Sequence, residues 1–258
     1  LDDCATHMGS RLLHTWLHQP LTRKPHISLR QQAIVALLPH AATLQAAFKP
    51  LGDIERMAAR IAVGSARPRD LSGLRDGLQL LADLSLPEGV DSALLDTLMQ
   101  VFPEGLALAE CLQAAVLPEP AVWLRDGGVI NHGFNADLDE LRHIQTHGDE
   151  FLLDLEARER ERTGLSTLKV EFNRVHGFYI ELSTAQAEHA PADYQRRQTV
   201  KNVERYITPE LKVFEDKVMS AQDQALALEK QLFDGLLREL QAALPVLQRI
   251  AKAAASLD

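Results

Sequence analysis

Cysteine is nearly absent. Only Cys4 and Cys111 occur in 258 residues, too few for a disulfide framework, so an intracellular, reduced and cytoplasmic chain is expected. Aromatic residues are also scarce, at 5%, while Leu and Ala abound, and that bias favours helix. No apolar run approaches the roughly 18 residues that cross a bilayer, so no membrane span and no membrane partner is expected. No signal peptide is expected either. Basic excess is missing: 27 Lys and Arg face 36 Asp and Glu, a net charge of −9. Wholesale electrostatic adhesion to nucleic acid or anionic lipid is thereby excluded, and any such contact must be local. A chain that opens on Leu1 rather than Met is expected to be a piece of a longer one.

Catalytic chemistry is equally thin. No glycine-rich loop ends in Lys-Ser or Lys-Thr, so no nucleotide phosphate loop is present. His143 and His147 stand one helical turn apart, a spacing that zinc accepts, but they lack a third ligand and read as surface histidines. Cys4 and Cys111 fall in apolar helical patterns and read as buried fillers. Asp3, His7 and Ser10 crowd one helix and make no triad. No catalytic residue, metal site or cofactor is expected, and the chain does not read as an enzyme.

What is abundant is helical periodicity, and a mainly α fold follows. Met8, Leu12, Leu13, Trp16 and Leu17 share a stripe within residues 3–17. Pro20 and Pro25 bracket a turn, and Ser28 reads as the N-cap of a second helix. A third helical pattern runs from Ala41 to Val63, with a break foreseen at Gly52. Asp70 reads as the cap of the next helix, and Ser92 to Leu112 as another. Asp126-Gly127 between apolar pairs signals a small hairpin over Trp123–Ile130, with a phosphate-cradling loop as the lesser alternative.

From Asp137 to Leu240 the pattern describes an arm. Asn135 is its N-cap, Gly148-Asp149 interrupts the outgoing helix, and Gly164 ends it in a left-handed conformation. Leu168–Asn173 and Phe178–Ser183 alternate with period two, joined by Arg174-Val175-His176-Gly177; Gln198–Ile207 alternates again as a third strand. Thr208-Pro209 then starts a return helix whose Leu211, Phe214, Val218, Ala221, Ala225, Leu228 and Leu232 keep a three-and-four spacing. Thirty such residues reach roughly 45 Å. The expected architecture is a multi-helix core with two long antiparallel helices and a small antiparallel sheet at their tip.

Charge concentrates at that tip. Arg196, Arg197, Lys201 and Arg205 face one acid, Glu204, within ten residues, and Arg174, His176 and Gly177 lie in the neighbouring turn. Lys, Arg and Asn grip phosphates, and glycine lets a backbone approach. The alternative is a solvated sheet surface whose arginines pair with nearby glutamates.

Several stretches carry a family resemblance. They include Thr6–Leu13 with Trp16-Leu17, Gly52–Arg56, Ala66–Leu71 and Arg125-Asp126-Gly127-Gly128-Val129-Ile130. Leu168-Lys169-Val170 with Asn173 and His176–Ile180, Arg197-Gln198-Thr199 with Lys201-Asn202, and Glu204-Arg205-Tyr206 with Thr208 and Glu210-Leu211 complete the set. Over its whole length the chain resembles the middle of the MutS family of DNA mismatch-repair recognition proteins. The resemblance implies a core and lever domain over 1–148 and 209–258, with a clamp domain inserted at 149–208. It implies duplex DNA as partner, held without sequence reading by Asn173 and Asn202, with Lys201, Arg197 and His176 beside them. It also implies a homodimeric parent whose mismatch-reading and ATPase domains, with ATP and Mg, lie outside this chain. A helical scaffold recruiting a protein partner without DNA contact is the rival expectation.

Overall fold

The computed structural model describes residues 2–146, 148–173 and 177–258, leaving aside the side chains of 145, 146, 148, 149 and 200. Helices come first: α1 (His7–His18), α2 (Lys24–Leu37), α3 (Ala41–Phe48), α4 (Ile54–Ala62), α5 (Pro68–Ala82), α6 (Ala93–Met99) and α7 (Leu106–Ala115). Next come α8 (Ala136–Thr146) and α9 (Gly148–Thr163). A sheet follows, with β1 (Lys169–Asn173), β2 (Gly177–Ser183), the short α10 (Thr184–Ala187), β3 (Gln195–Val200) and β4 (Val203–Ile207). Helices α11 (Pro209–Ala242) and α12 (Leu244–Leu257) close the chain. The fold is mainly α with a small antiparallel sheet, as expected.

Two compact units emerge, one of Leu1–Phe134 with Glu229–Asp258 and one of Asn135–Leu228. In the first, α5 packs on α7, and α12 packs on α1 and α4. Leu71, Leu74, Leu78 and Leu81 of α5 are fully buried, as their spacing requires. The Thr6 side chain caps α1 by accepting from the Gly9 N–H at 3.0 Å. The Asp258 carboxylate in turn receives the Ala5 and Thr6 N–H groups at 2.8 and 2.9 Å.

Local starts and stops correct several expectations. Helix α2 begins at Lys24, not after Ser28, because Pro25 in the first turn supplies a helical φ where no N–H is needed. Helix α5 likewise opens at Pro68; Asp70 sits one turn in and accepts the Arg67 N–H at 2.8 Å. The stretch from Ser92 to Leu112 is two helices, divided by a 3-10 turn at Phe102–Gly105 that contains Pro103. The break at Gly52 is real: α3 ends at Phe48, and Asp53 caps α4 through the Arg56 N–H. Cys111 is exposed, and Cys4 lies half-buried ahead of α1, so neither is a core filler.

The expected hairpin over Trp123–Ile130 is a different loop. Leu124–Asp126 form a 3-10 turn, and Gly127 and Gly128 both take left-handed φ near 70°. Val129-Ile130 pair instead with Val116-Leu117: Leu117 N–H donates to Val129 at 2.9 Å and Asn131 N–H to Ala115 at 2.8 Å. Two buried charges fix this loop. The Arg75 guanidinium donates to the carbonyls of Val116, Leu117 and Pro118 at 3.2–3.3 Å. The Glu229 carboxylate accepts the N–H groups of Gly128, Val129 and Ile130 at 3.0, 2.7 and 2.8 Å. The glycine-rich turn does cradle an anion, and the anion is the protein's own.

In the second unit the sheet order is β1-β2-β4-β3, all antiparallel. Its inner face, with Phe178, Ile180, Leu182 and Tyr206, closes a core with Leu155, Leu165, Leu168, Tyr194 and Leu211. Phe151 of α9 stacks on Phe214 of α11 at 4.2 Å between ring centres, and Arg158 of α9 meets Glu210 of α11 at 2.9 Å, so the two helices touch through these side chains. The caps foreseen at Asn135, Gly164 and Thr208 are all present: Leu138 N–H bonds Asn135, Gly164 has φ 70°, and Leu211 N–H bonds the Thr208 hydroxyl. Helix α11 contributes residues 209–228 to this unit and 229–242 to the other.

Candidate nucleic-acid interface

The expected third strand is a hairpin. The alternation read over Gln198–Ile207 is interrupted at Lys201-Asn202, which turn the chain between Val200 and Val203, and those two pair directly. Asn202 has φ 76°, and among the described residues it is the one non-glycine with positive φ. Asparagine tolerates that region because its short polar side chain can satisfy the local backbone. The turn is pinned from outside as well, since Thr184 N–H of α10 donates to the Asn202 carbonyl at 3.1 Å. Lys201 and Asn202 are both exposed.

Pairing removes most of the apparent basic patch. Arg196 meets Glu204 at 2.7 Å. Arg205 meets Glu181 at 3.0 Å and lies 4.2 Å over the Tyr179 ring. Arg197 meets Glu215 at 2.9 Å. Lys201 is the one of these four cations that forms no ion pair with the described residues. In part, then, the solvated, glutamate-paired alternative describes what the arginines do.

Arg197 sits where the β3–β4 register shifts between Arg196 and Gln198. Such a bulge re-aims a side chain. Here it turns the guanidinium onto Glu215 of α11, with NH1 also donating to the Phe178 carbonyl at 2.9 Å. Glu215 is buried and accepts further bonds from the Phe178 N–H at 2.9 Å and Lys212 Nζ at 3.0 Å. Burial alone would raise its carboxyl; the bonds from Arg197, Lys212 and Phe178 outweigh burial and hold it at about 2. The bond to Glu215 raises Arg197 correspondingly. Gly177, expected to admit a phosphate backbone, serves this knot. It has φ 71°, and a Cβ there would overlap the Glu215 carboxylate.

The sheet also separates residues that the sequence grouped. Asn173 pairs with Gly177 at the start of β2, whereas Val203, next to Asn202, pairs with Ser183 at its end. Six residue steps at about 3.3 Å put them roughly 20 Å apart. Asn173 is half-buried at the end of β1. His176 lies outside the described residues, as does His147 of the expected histidine pair. Among the described residues, no group of three or more His, Cys, Asp or Glu is placed to hold a metal ion. No helix there is long and apolar enough to cross a membrane.

Sequence reasoning missed two residues that do much of the positioning, Glu215 and Glu229. The available signal was a carboxylate on an apolar stripe. Glu215 follows Leu211 by four and precedes Val218 by three, while Glu229 follows Ala225 by four. A charge at such a position is buried by the helix it sits on and must find partners. The match of all 258 residues to the family model described as MutS domain III joins this fold to a known lineage, and the chain belongs to that family of DNA mismatch-repair proteins.

Proposed function

We propose that this chain is the lever and clamp segment of a mismatch-repair protein and holds duplex DNA by its phosphates at the Lys201-Asn202 turn. The observation that carries this reading is the contrast within one hairpin: three arginines are neutralised internally, while an exposed lysine and a left-handed asparagine stand at the turn. Lys201 supplies the charge and Asn202 a neutral donor, both of which suit phosphate oxygens and neither of which reads a base. Asn173, at the end of β1, and His176 form a second contact point. Arg197 acts indirectly, by fixing β3 to α11. The clamp comprises 149–208, and the helical parts 1–148 and 209–258 couple it to an ATPase domain elsewhere in a homodimeric, cytoplasmic parent. ATP and Mg belong to that domain, and this chain itself turns over no substrate. The rival scaffold reading needs a free helical seam, but Leu211, Ala221 and Ala225 are already buried within the chain.

Fluorescence anisotropy with a labelled duplex tests the proposal. Binding is expected to be weak, equal for matched and mismatched duplexes, and to fall with salt. Lys201→Ala is expected to lower the log–log salt slope by about 1. Asn202→Gly is the cleaner partner variant, because glycine keeps the positive φ that alanine would strain. It should weaken binding about three- to tenfold while the fold persists. A preference for the mismatch, or affinity indifferent to salt and to both substitutions, would overturn the reading.

A further inference from the structure

The loop between Val116 and Ile130 is held more firmly than a connector requires. Arg75 grips three of its carbonyls, Glu229 grips three of its N–H groups, and both charges are buried. What this anchored loop presents outward is Trp123, 43% exposed, next to exposed Val122. The Arg67 guanidinium stacks 4.3 Å from the indole centre, and Arg125 lies 5.7 Å from it. Among the described residues Arg67 makes no ion pair, and the one made by Arg125 is a loose contact with Asp126 at 3.7 Å. The Arg125 side chain is 81% exposed.

We propose that Arg67, Trp123 and Arg125 form a docking surface for an acidic, leucine-type peptide segment of a partner protein. A guanidinium stacked on an indole keeps the N–H donors along its edge available, and their planar fork matches a carboxylate bidentately. Trp and Arg are the residues that dominate protein interfaces, and the Trp123 ring with Val122 offers an apolar seat between two cations. On a chain of net charge −9, two guanidinium groups with so little acid of their own mark a local exception that favours an acidic partner. The rigid loop lowers the ordering cost of binding. This surface belongs to the unit that lacks the β3–β4 hairpin, so it stands or falls independently of the DNA reading.

The probe is the capped pentapeptide Glu-Asp-Leu-Asp-Glu, followed by tryptophan fluorescence in a Trp16→Phe background, where Trp123 is the one remaining indole. A saturable response with Kd of about 1 mM or tighter is expected. Arg67→Gln and Arg125→Gln should each weaken it about fivefold or more, with an unchanged circular dichroism spectrum. Arg67→Lys, which keeps charge but loses the fork, should also weaken it. A linear response, an equal response to Lys-Lys-Leu-Lys-Lys, or indifference to the glutamine variants overturns the proposal. So does tighter competition by a single-stranded oligonucleotide than by the peptide, which would assign the surface to nucleic acid.

Discussion

Replacing Glu229 by alanine is expected to lower the stability of the Leu1–Phe134/Glu229–Asp258 unit by about 2–6 kcal/mol. The carboxylate accepts N–H groups of Gly128, Val129 and Ile130, the last two of which are wholly buried. Truncation strands the two buried donors where water does not reach, and each stranded donor costs about 1–3 kcal/mol. That sum is a large share of the roughly 5–15 kcal/mol that holds a domain together. Glu229→Gln should cost less, about 1–3 kcal/mol, because one amide oxygen still accepts while the amide N–H₂ faces donors instead of an acceptor. The chain supplies its own reporters. Both tryptophans, Trp16 and Trp123, lie in this unit, and all three tyrosines, Tyr179, Tyr194 and Tyr206, lie in the other. Denaturant unfolding followed by tryptophan fluorescence should therefore shift strongly. A Glu229→Ala protein within about 1 kcal/mol of the parent would show that the loop finds other acceptors.

The same glutamate shows where sequence stops being legible. Caps are local, and Asn135, Gly164 and Thr208-Pro209 could be placed because each acts within one turn of itself. The partners of Glu229 lie about a hundred residues earlier, where periodicity carries no information. The Asp-Gly-Gly stretch is recognisable as a turn needing positive φ, but local pattern pairs its strand with the nearest apolar pair, whereas the fold pairs it with Val116-Leu117. In the candidate site, the cluster of four cations was plain, yet counting charges cannot show that Glu181, Glu204 and Glu215 already hold three of them. Lys201 and Asn202 read as strand residues in the sequence, and the fold makes them a turn. The period-two pattern changes phase between Val200 and Val203, three residues apart, and the positive φ of Asn202 and the direct pairing of the two valines mark the reversal.

Acid should weaken the Asn135–Leu228 unit through Glu215. Its carboxyl, ordinarily near 4.5, is held at about 2, so the folded state favours the ionised form more than the unfolded chain does. A depressed carboxyl contributes stability that is complete above the unfolded value and lost as pH falls through the window towards the folded one. The gap between 4.5 and about 2 corresponds to about 3 kcal/mol, of which about 2 kcal/mol is gone by about pH 3. Only one side chain is at issue, but it joins three elements: the Phe178 N–H of β2, Arg197 on the β3 bulge, and α11 itself. Protonation leaves Arg197 partly buried with a weakened partner, and breaking such a pair from one side costs more than never having formed it. Urea unfolding followed by tyrosine fluorescence at about pH 6 and about pH 3 separates this from the other carboxylates. Glu215→Gln should begin less stable and lose about 2 kcal/mol less than the parent between the two conditions. Equal losses in the two proteins would place the acid sensitivity elsewhere. A tip that keeps its DNA affinity in Glu215→Gln would further show that the knot stabilises the sheet without setting the aim of the Lys201-Asn202 turn.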